Sequence, residues 1–359
     1  MSSAVDWAFA EKLACKMSGK DLLSDSYHAI NLESDFAEFT SQAEELVAAE
    51  TGLVSTAGAA RGRVTDRPGW IRANIASFQR LMKPVLGKFD AENVGPLGPV
   101  VAKAAGAEVG AMLGWMSGRV LGQYDLLVIE DEAPEEQDIV YYVGPNVLAL
   151  EQKHKFAPRE FRLWLALHEV THRAQFTGVP WMREHFLGLV DQMLVEAEPD
   201  PARIFTAIGR VSEAVLERKN PLEDGGVAVL FASDEQKALM DQIGGLMSLL
   251  EGHGDVTMDR AGVGLVPSAE HFGEVLRTRR NETGGAAKFL QQLVGLQAKL
   301  AQYQQGEDFI EAVEAHGGTR LIDLAWQDPA NLPSLLEIRD PSLWIARVAK
   351  PMAASLRAG

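Results

Sequence analysis

The stretch His168-Glu169-Val170-Thr171-His172 constrains this chain more than any other. It puts two imidazoles four positions apart, which on a helix lie one above the other on the same face. The residues before it support a helix. Phe161-Arg162-Leu163-Trp164-Leu165-Ala166-Leu167 is strongly apolar, Pro158 stands where a helix tolerates a missing N–H, and Gly178 and Pro180 punctuate the end. Two His on a mostly buried helix need polar partners or a metal. The bland alternative is a surface helix with two solvated His, and the apolar flank argues against it.

H-E-x-x-H at this spacing can grip one Zn²⁺ through His168 and His172. Glu169 can then take a proton from a water that the metal activates, as in a zinc hydrolase. Catalytic zinc wants a third protein ligand. The metzincin continuation would place a His at 178, but the chain has Gly178 there, so that pattern is excluded. Glu251 is the better candidate. An apolar run, Ile243 to Leu250, delivers it at the start of Glu251-Gly252-His253-Gly254-Asp255. Glu251 and Asp255 form an E-x-x-x-D arrangement that resembles the gluzincin second helix. There the Glu ligates the metal and the Asp orients a ligating His. His253 could ligate instead, or could donate a hydrogen bond in the transition state. Asp191, nineteen positions after His172, is a rival ligand in an ordinary amphipathic stretch and reads as a solvated face residue. Arg279 and Arg280 are candidates for oxyanion or carboxylate binding, against a plain ion-pairing role.

Composition bounds the rest. The chain has 359 residues, 47% of them hydrophobic, enough for one large core or two domains. A net charge of −16 disfavours nucleic acid and anionic membrane as partners. The single cysteine, Cys15, excludes an intramolecular disulfide framework and reads as a small buried hydrophobe. Asp6, Glu11 and Lys12 interrupt the N-terminal apolar residues, so no secretory signal is read and a cytoplasmic location is expected.

Helices are expected over roughly 4–17, 33–51, 70–90 and 98–122, with a loop from Arg61 to Gly69. The fourth helix carries Gly106, Gly110, Gly114, Gly118 and Gly122 in steps of four. Each such glycine costs a helix about 1 kcal/mol, and close approach of a neighbouring helix would offset it. Lys103, Glu108 and Arg119 interrupt the run and argue against a membrane span. Strand signals follow at Asp125–Glu130 and Ile139–Val143, with a turn at Gly144-Pro145-Asn146 and a further apolar run, Val147–Leu150. A small sheet is therefore expected directly before the metal helix, and an edge strand there could bind an extended peptide by strand addition. The span 173–250, with Pro199-Asp200-Pro201 and Glu223-Asp224-Gly225-Gly226, reads as a long insertion that covers or gates the site. A helix is expected over about 286–305, and Trp326 to Trp344 reads as loop-rich.

The chain also resembles a known family along nearly its whole length. The resemblance rests on Phe161–Trp164 leading into His168–Phe176, on Val179-Pro180-Trp181, on Leu250–Asp255 with Met258-Asp259, on Gly295–Lys299 with Gln302–Gly306, and on Asn331-Leu332-Pro333 with Asp340-Pro341 and Trp344. These are similar to the actinobacterial zincin-like family, labelled zinc-dependent metalloprotease-like or "deazaflavin coenzyme biosynthesis-associated". The resemblance implies His168 and His172 as ligands and Glu169 as general base, and it implies no substrate.

Together these readings give an α+β fold, predominantly helical and zincin-like, with a small sheet preceding the metal helix. Residues 1–125 form an N-terminal helical region and 126–359 the catalytic region, which could be one continuous domain. The expected function is a gluzincin-type zinc metallopeptidase acting on a peptide or small amide. Zn²⁺ is held by His168, His172 and Glu251, with Glu169 and His253 catalytic and Asp255 behind a ligand. Two alternatives stand: a non-catalytic zincin with structural zinc serving as an interaction module, and a zinc hydrolase of a non-peptide amide.

Overall fold

The computed structural model describes residues 5–21, 23, 26–82, 98–126, 138–195, 233–282 and 303–349. Its elements are α1 (Trp7–Met17), α2 (Leu32–Thr51), β1 (Arg61–Thr65), α3 (Arg67–Leu81), α4 (Gly98–Ser117), β2 (Gly122–Tyr124), β3 (Ile139–Val143), α5 (Gly144–His154), α6 (Pro158–Gly178), α7 (Met182–Val195), α8 (Asp234–Ala261), α9 (Ala269–Glu282) and α10 (Tyr303–Gly317). Short helical turns follow, including α11 (Leu335–Arg339) and α12 (Pro341–Trp344). The fold is α+β and mostly helical, as the sequence indicates. It divides into two compact units. One is Met1–Gly178 with Thr257–Val275; the other is Val179–Val256 with Leu276–Gly359. Helix α8 runs through the boundary and contributes its last turn to the first unit.

In the first unit the glycine stripe of α4 explains itself. A Cβ on Gly106 would collide with the Asp6 carbonyl, one on Gly110 would lie 2.5 Å from the Ala10 carbonyl oxygen, and one on Gly114 would lie 2.7 Å from Met17 Cβ. These glycines let α1 lie backbone to backbone on α4, and the Asp6 N–H reaches across to the Ala102 carbonyl at 2.9 Å. The stripe is shorter than its sequence period. Helix α4 ends at Ser117, Gly118 stands in open space, and Gly122 belongs to β2. No helix among the described residues is long and apolar enough to cross a membrane.

The sheet has the order β1-β3-β2. Strand β3 is central, parallel to β1 (Arg61↔Ile139 to Thr65↔Val143) and antiparallel to β2 (Gly122↔Tyr142). β1 corrects the expected loop at Arg61–Gly69. Its local signals, Gly62 and Pro68, suit a loop, but a partner strand far along the chain overrides them. Gly62 is needed there because α2 lies on the strand: a Cβ would meet the Thr40 hydroxyl and the Phe36 carbonyl. A second correction concerns Val147–Leu150, which is helix and not strand. Pro145 sits in the first turn of α5, and Val147, Leu148, Leu150 and Glu151 are buried, a helical spacing.

Helix α6 is buried almost all round, the pattern of a core helix. At its start Phe272 meets Phe156, Phe161 and Trp164 edge-to-face, and Phe161 stacks on Trp164. Two buried arginines then tie it down. Arg162 is bidentate to Glu151 at 2.8 Å and reaches Asp35 at 2.7 Å. Arg173, 1% exposed, is held by Asp138, Glu44 and the Gly58 carbonyl at 2.6–2.7 Å.

In the second unit, α8 and α10 cross at Gly252 and Gly306, where a Cβ on either would run into the other's backbone. The expected loop-rich stretch Trp326–Trp344 is instead a series of short helical turns. Ser334 and Glu337 form a reciprocal capping box on α11, and Arg347 grips Glu337 at 2.6 Å. Expectations for Leu127–Glu130, 83–90, Pro199–Pro201, Glu223–Gly226 and most of 286–305 lie outside the described residues.

Candidate metal centre

Helical spacing brings the two imidazoles of α6 together as their sequence separation requires. The rings of His168 and His172 cross at 84° with their Nε2 atoms 3.1 Å apart. Two nitrogens each about 2.0–2.1 Å from one tetrahedral zinc would lie about 3.3 Å apart, so this separation suits a shared ion. One ligand atom each from His168, His172 and Glu251 lie within 4.8 Å of one another. Two imidazole nitrogens and one carboxylate oxygen are a donor set that catalytic zinc uses. Glu251 stands on α8, and Asp255, one turn further along, is buried.

Glu169 follows His168 but faces the sheet. It is 7% exposed, and its carboxylate lies directly on the backbone of Gly122 in β2. Gly122 pairs with Tyr142, whose ring stacks on Phe36 at 3.9 Å and whose hydroxyl is 2.9 Å from Thr40 Oγ1. Burial pushes the Tyr142 phenol well above its ordinary value; the Thr40 bond opposes this, and the Glu169 charge adds to it. Tyr142 therefore stays neutral beside the general-base candidate.

Other expected residues are placed differently. His253 is 6% exposed, with its ring edge-on to Trp326 at 5.0 Å. Two residues from Glu251, it lies about 200° around the helix axis. A catalytic role for it would need the substrate to reach that side of α8. Asp191 is exposed on α7 and outside the three-residue group. The side chains of Arg279 and Arg280 lie outside the described residues.

Two residues that the sequence reading did not single out belong to this site. Gly122 seats Glu169, and nothing local marks it, because the contact joins a strand to a distant helix. Gln175 Oε1 lies 3.0 Å from His172 Nδ1. Its signal was the i+3 spacing, which puts it on the same helix face as His172.

A model of the zincin-like metallopeptidase family matches residues 5–345. The chain belongs to that family. As a zincin-like protein it is also similar, at 31% identity and a TM-score of 0.73, to a proposed hydrolase with a novel fold from Chloroflexus aurantiacus. That likeness covers 96% of this chain and 98% of the other. No curated protein matches. Membership in the zincin-like family supports a zinc hydrolase, and among the described residues His168, His172 and Glu251 form a group that could hold the ion.

Proposed function

We propose that this zincin-like protein is a zinc metallopeptidase of gluzincin type, acting on a peptide or a small amide in the cytoplasm. The observation that carries the reading is the convergence of His168, His172 and Glu251 within 4.8 Å, with an intact Glu169 next to the first His. Bound at these donors, zinc supplies Lewis acidity, lowering the pKa of water toward neutrality and polarising the scissile carbonyl.

The chain's own groups do the rest. Glu169, buried against Gly122, takes the proton of the attacking water and returns it to the leaving amine. Asp255 supports a ligand from the turn after Glu251. His253, packed edge-on to Trp326 about 200° around α8 from Glu251, takes no part in this step.

The deciding measurement is zinc per chain in wild type and in Glu251→Ala, with hydrolysis of a peptide library followed in parallel. The expected result is one zinc in wild type and a large loss in the variant. Glu169→Gln should keep the zinc and abolish hydrolysis. Zinc retained in Glu251→Ala would move the third ligand elsewhere. Full activity in Glu169→Gln would overturn the mechanism, and zinc without turnover on any peptide or amide would favour a structural ion.

A further inference from the structure

We propose that Gln175 is a positioning residue that holds His172 in its metal-binding tautomer. The inference rests on the zinc reading only for what is bound; the hydrogen bond itself belongs to this chain alone. Gln175 is fully buried, one turn beyond His172 on α6, with Oε1 3.0 Å from His172 Nδ1. An amide oxygen can only accept, so the single proton of neutral His172 resides on Nδ1. Nε2 is left with its lone pair, and that atom faces His168 Nε2 at 3.1 Å. The side chain thus decides which nitrogen of His172 can ligate.

The sequence suggested a carboxylate from α8, Asp255, for this kind of task. At His172 the partner is instead a neutral amide from the same helix. The consequence is physical. A carboxylate would raise the basicity of the imidazole, whereas an amide orients it without adding charge to a donor set that already includes Glu251. Because Gln175 follows His172 by three positions on one helix, the two side chains share a helix face. An apolar residue at 175 would leave the Nδ1–H of the half-buried His172 without this acceptor and free the ring to exchange its proton between nitrogens.

The test uses the full chain as wild type, Gln175→Leu and Gln175→Glu. In metal-free protein, histidine ¹⁵N NMR should show His172 protonated at Nδ1 in wild type and in Gln175→Glu, with that tautomer lost in Gln175→Leu. Competition of zinc against a chromophoric chelator should show Gln175→Leu weaker by about 10- to 100-fold, and Gln175→Glu at least as tight as wild type. A wild-type His172 protonated at Nε2, or a Gln175→Leu that binds zinc like wild type, would overturn the proposal. Should Gln175→Leu fail to fold, zinc binding ten-fold weaker in Gln175→Glu would do the same. A wild type that takes up no zinc would sink the zinc reading, while the metal-free spectrum would still decide the role of Gln175.

Discussion

A Cβ on Gly122 would stand 2.6 Å from both Cγ and Oε1 of Glu169, so the carboxylate of the general-base candidate rests on a backbone that has no room for a side chain. The nearest atoms belong to the end of the Glu169 side chain, and that is what would have to move. Gly122→Ala should therefore keep its zinc and its fold but lose about 10²-fold or more in turnover, the scale expected when a catalytic group is displaced by about 1 Å. Zinc analysis beside hydrolysis of the best library peptide checks this. Wild-type turnover would show that Glu169 does not need that seat.

Arg173 lies next to His172 and joins α6 to Asp138 and Glu44 through a guanidinium that is 1% exposed. Replacing it leaves two carboxylates facing a buried gap. Arg173→Met should lower stability by about 3–5 kcal/mol, the scale for breaking a buried pair. Urea unfolding of the metal-free protein separates this from any effect of zinc, and a loss under 1 kcal/mol would mean that water replaces the guanidinium.

Gly110 and Gly118 should respond differently to the same substitution. Helix propensity alone favours Gly110→Ala by about 1 kcal/mol. At this site, however, the new methyl would meet the Ala10 carbonyl oxygen at 2.5 Å, and backbone yields little. We expect a net loss of about 1–3 kcal/mol. Gly118→Ala, with nothing within 4 Å of its Cβ, should be near neutral. Thermal melts of the two variants side by side decide it.

Glu337 gives the second unit a pH dependence. Burial pushes its carboxyl up, but the Arg347 pair and the Ser334 cap outweigh that, and the net shift is down. A carboxyl depressed in the folded state stabilises it above the unfolded-state value, and that contribution disappears as pH falls through the folded-state value. Acid titration should therefore lower the stability of wild type more steeply than that of Glu337→Gln below the ordinary carboxylate range. Parallel curves for the two proteins would show that Glu337 contributes nothing through its charge.

Features governed by neighbours along the chain were legible in the sequence. His168, Glu169 and His172 were readable because a helix converts a separation of four into a shared face, and the apolar run from Phe161 showed that this helix is buried. The α+β class and the packing role of Gly106, Gly110 and Gly114 followed in the same way. Glu251 was nominated by the end of an apolar run and a pair four residues apart, again a local pattern.

Tertiary structure decided whatever depends on residues far apart in the chain. Arg61–Thr65 is a strand because β3 lies beside it. Glu251 joins His168 and His172 only through the course of α8, and Gly122 meets Glu169 only because β2 packs on α6. Periodicity along a chain specifies which face a side chain takes within its own element. The partner that face meets is chosen by burial and backbone pairing across the whole molecule, and those are summed only in the folded state.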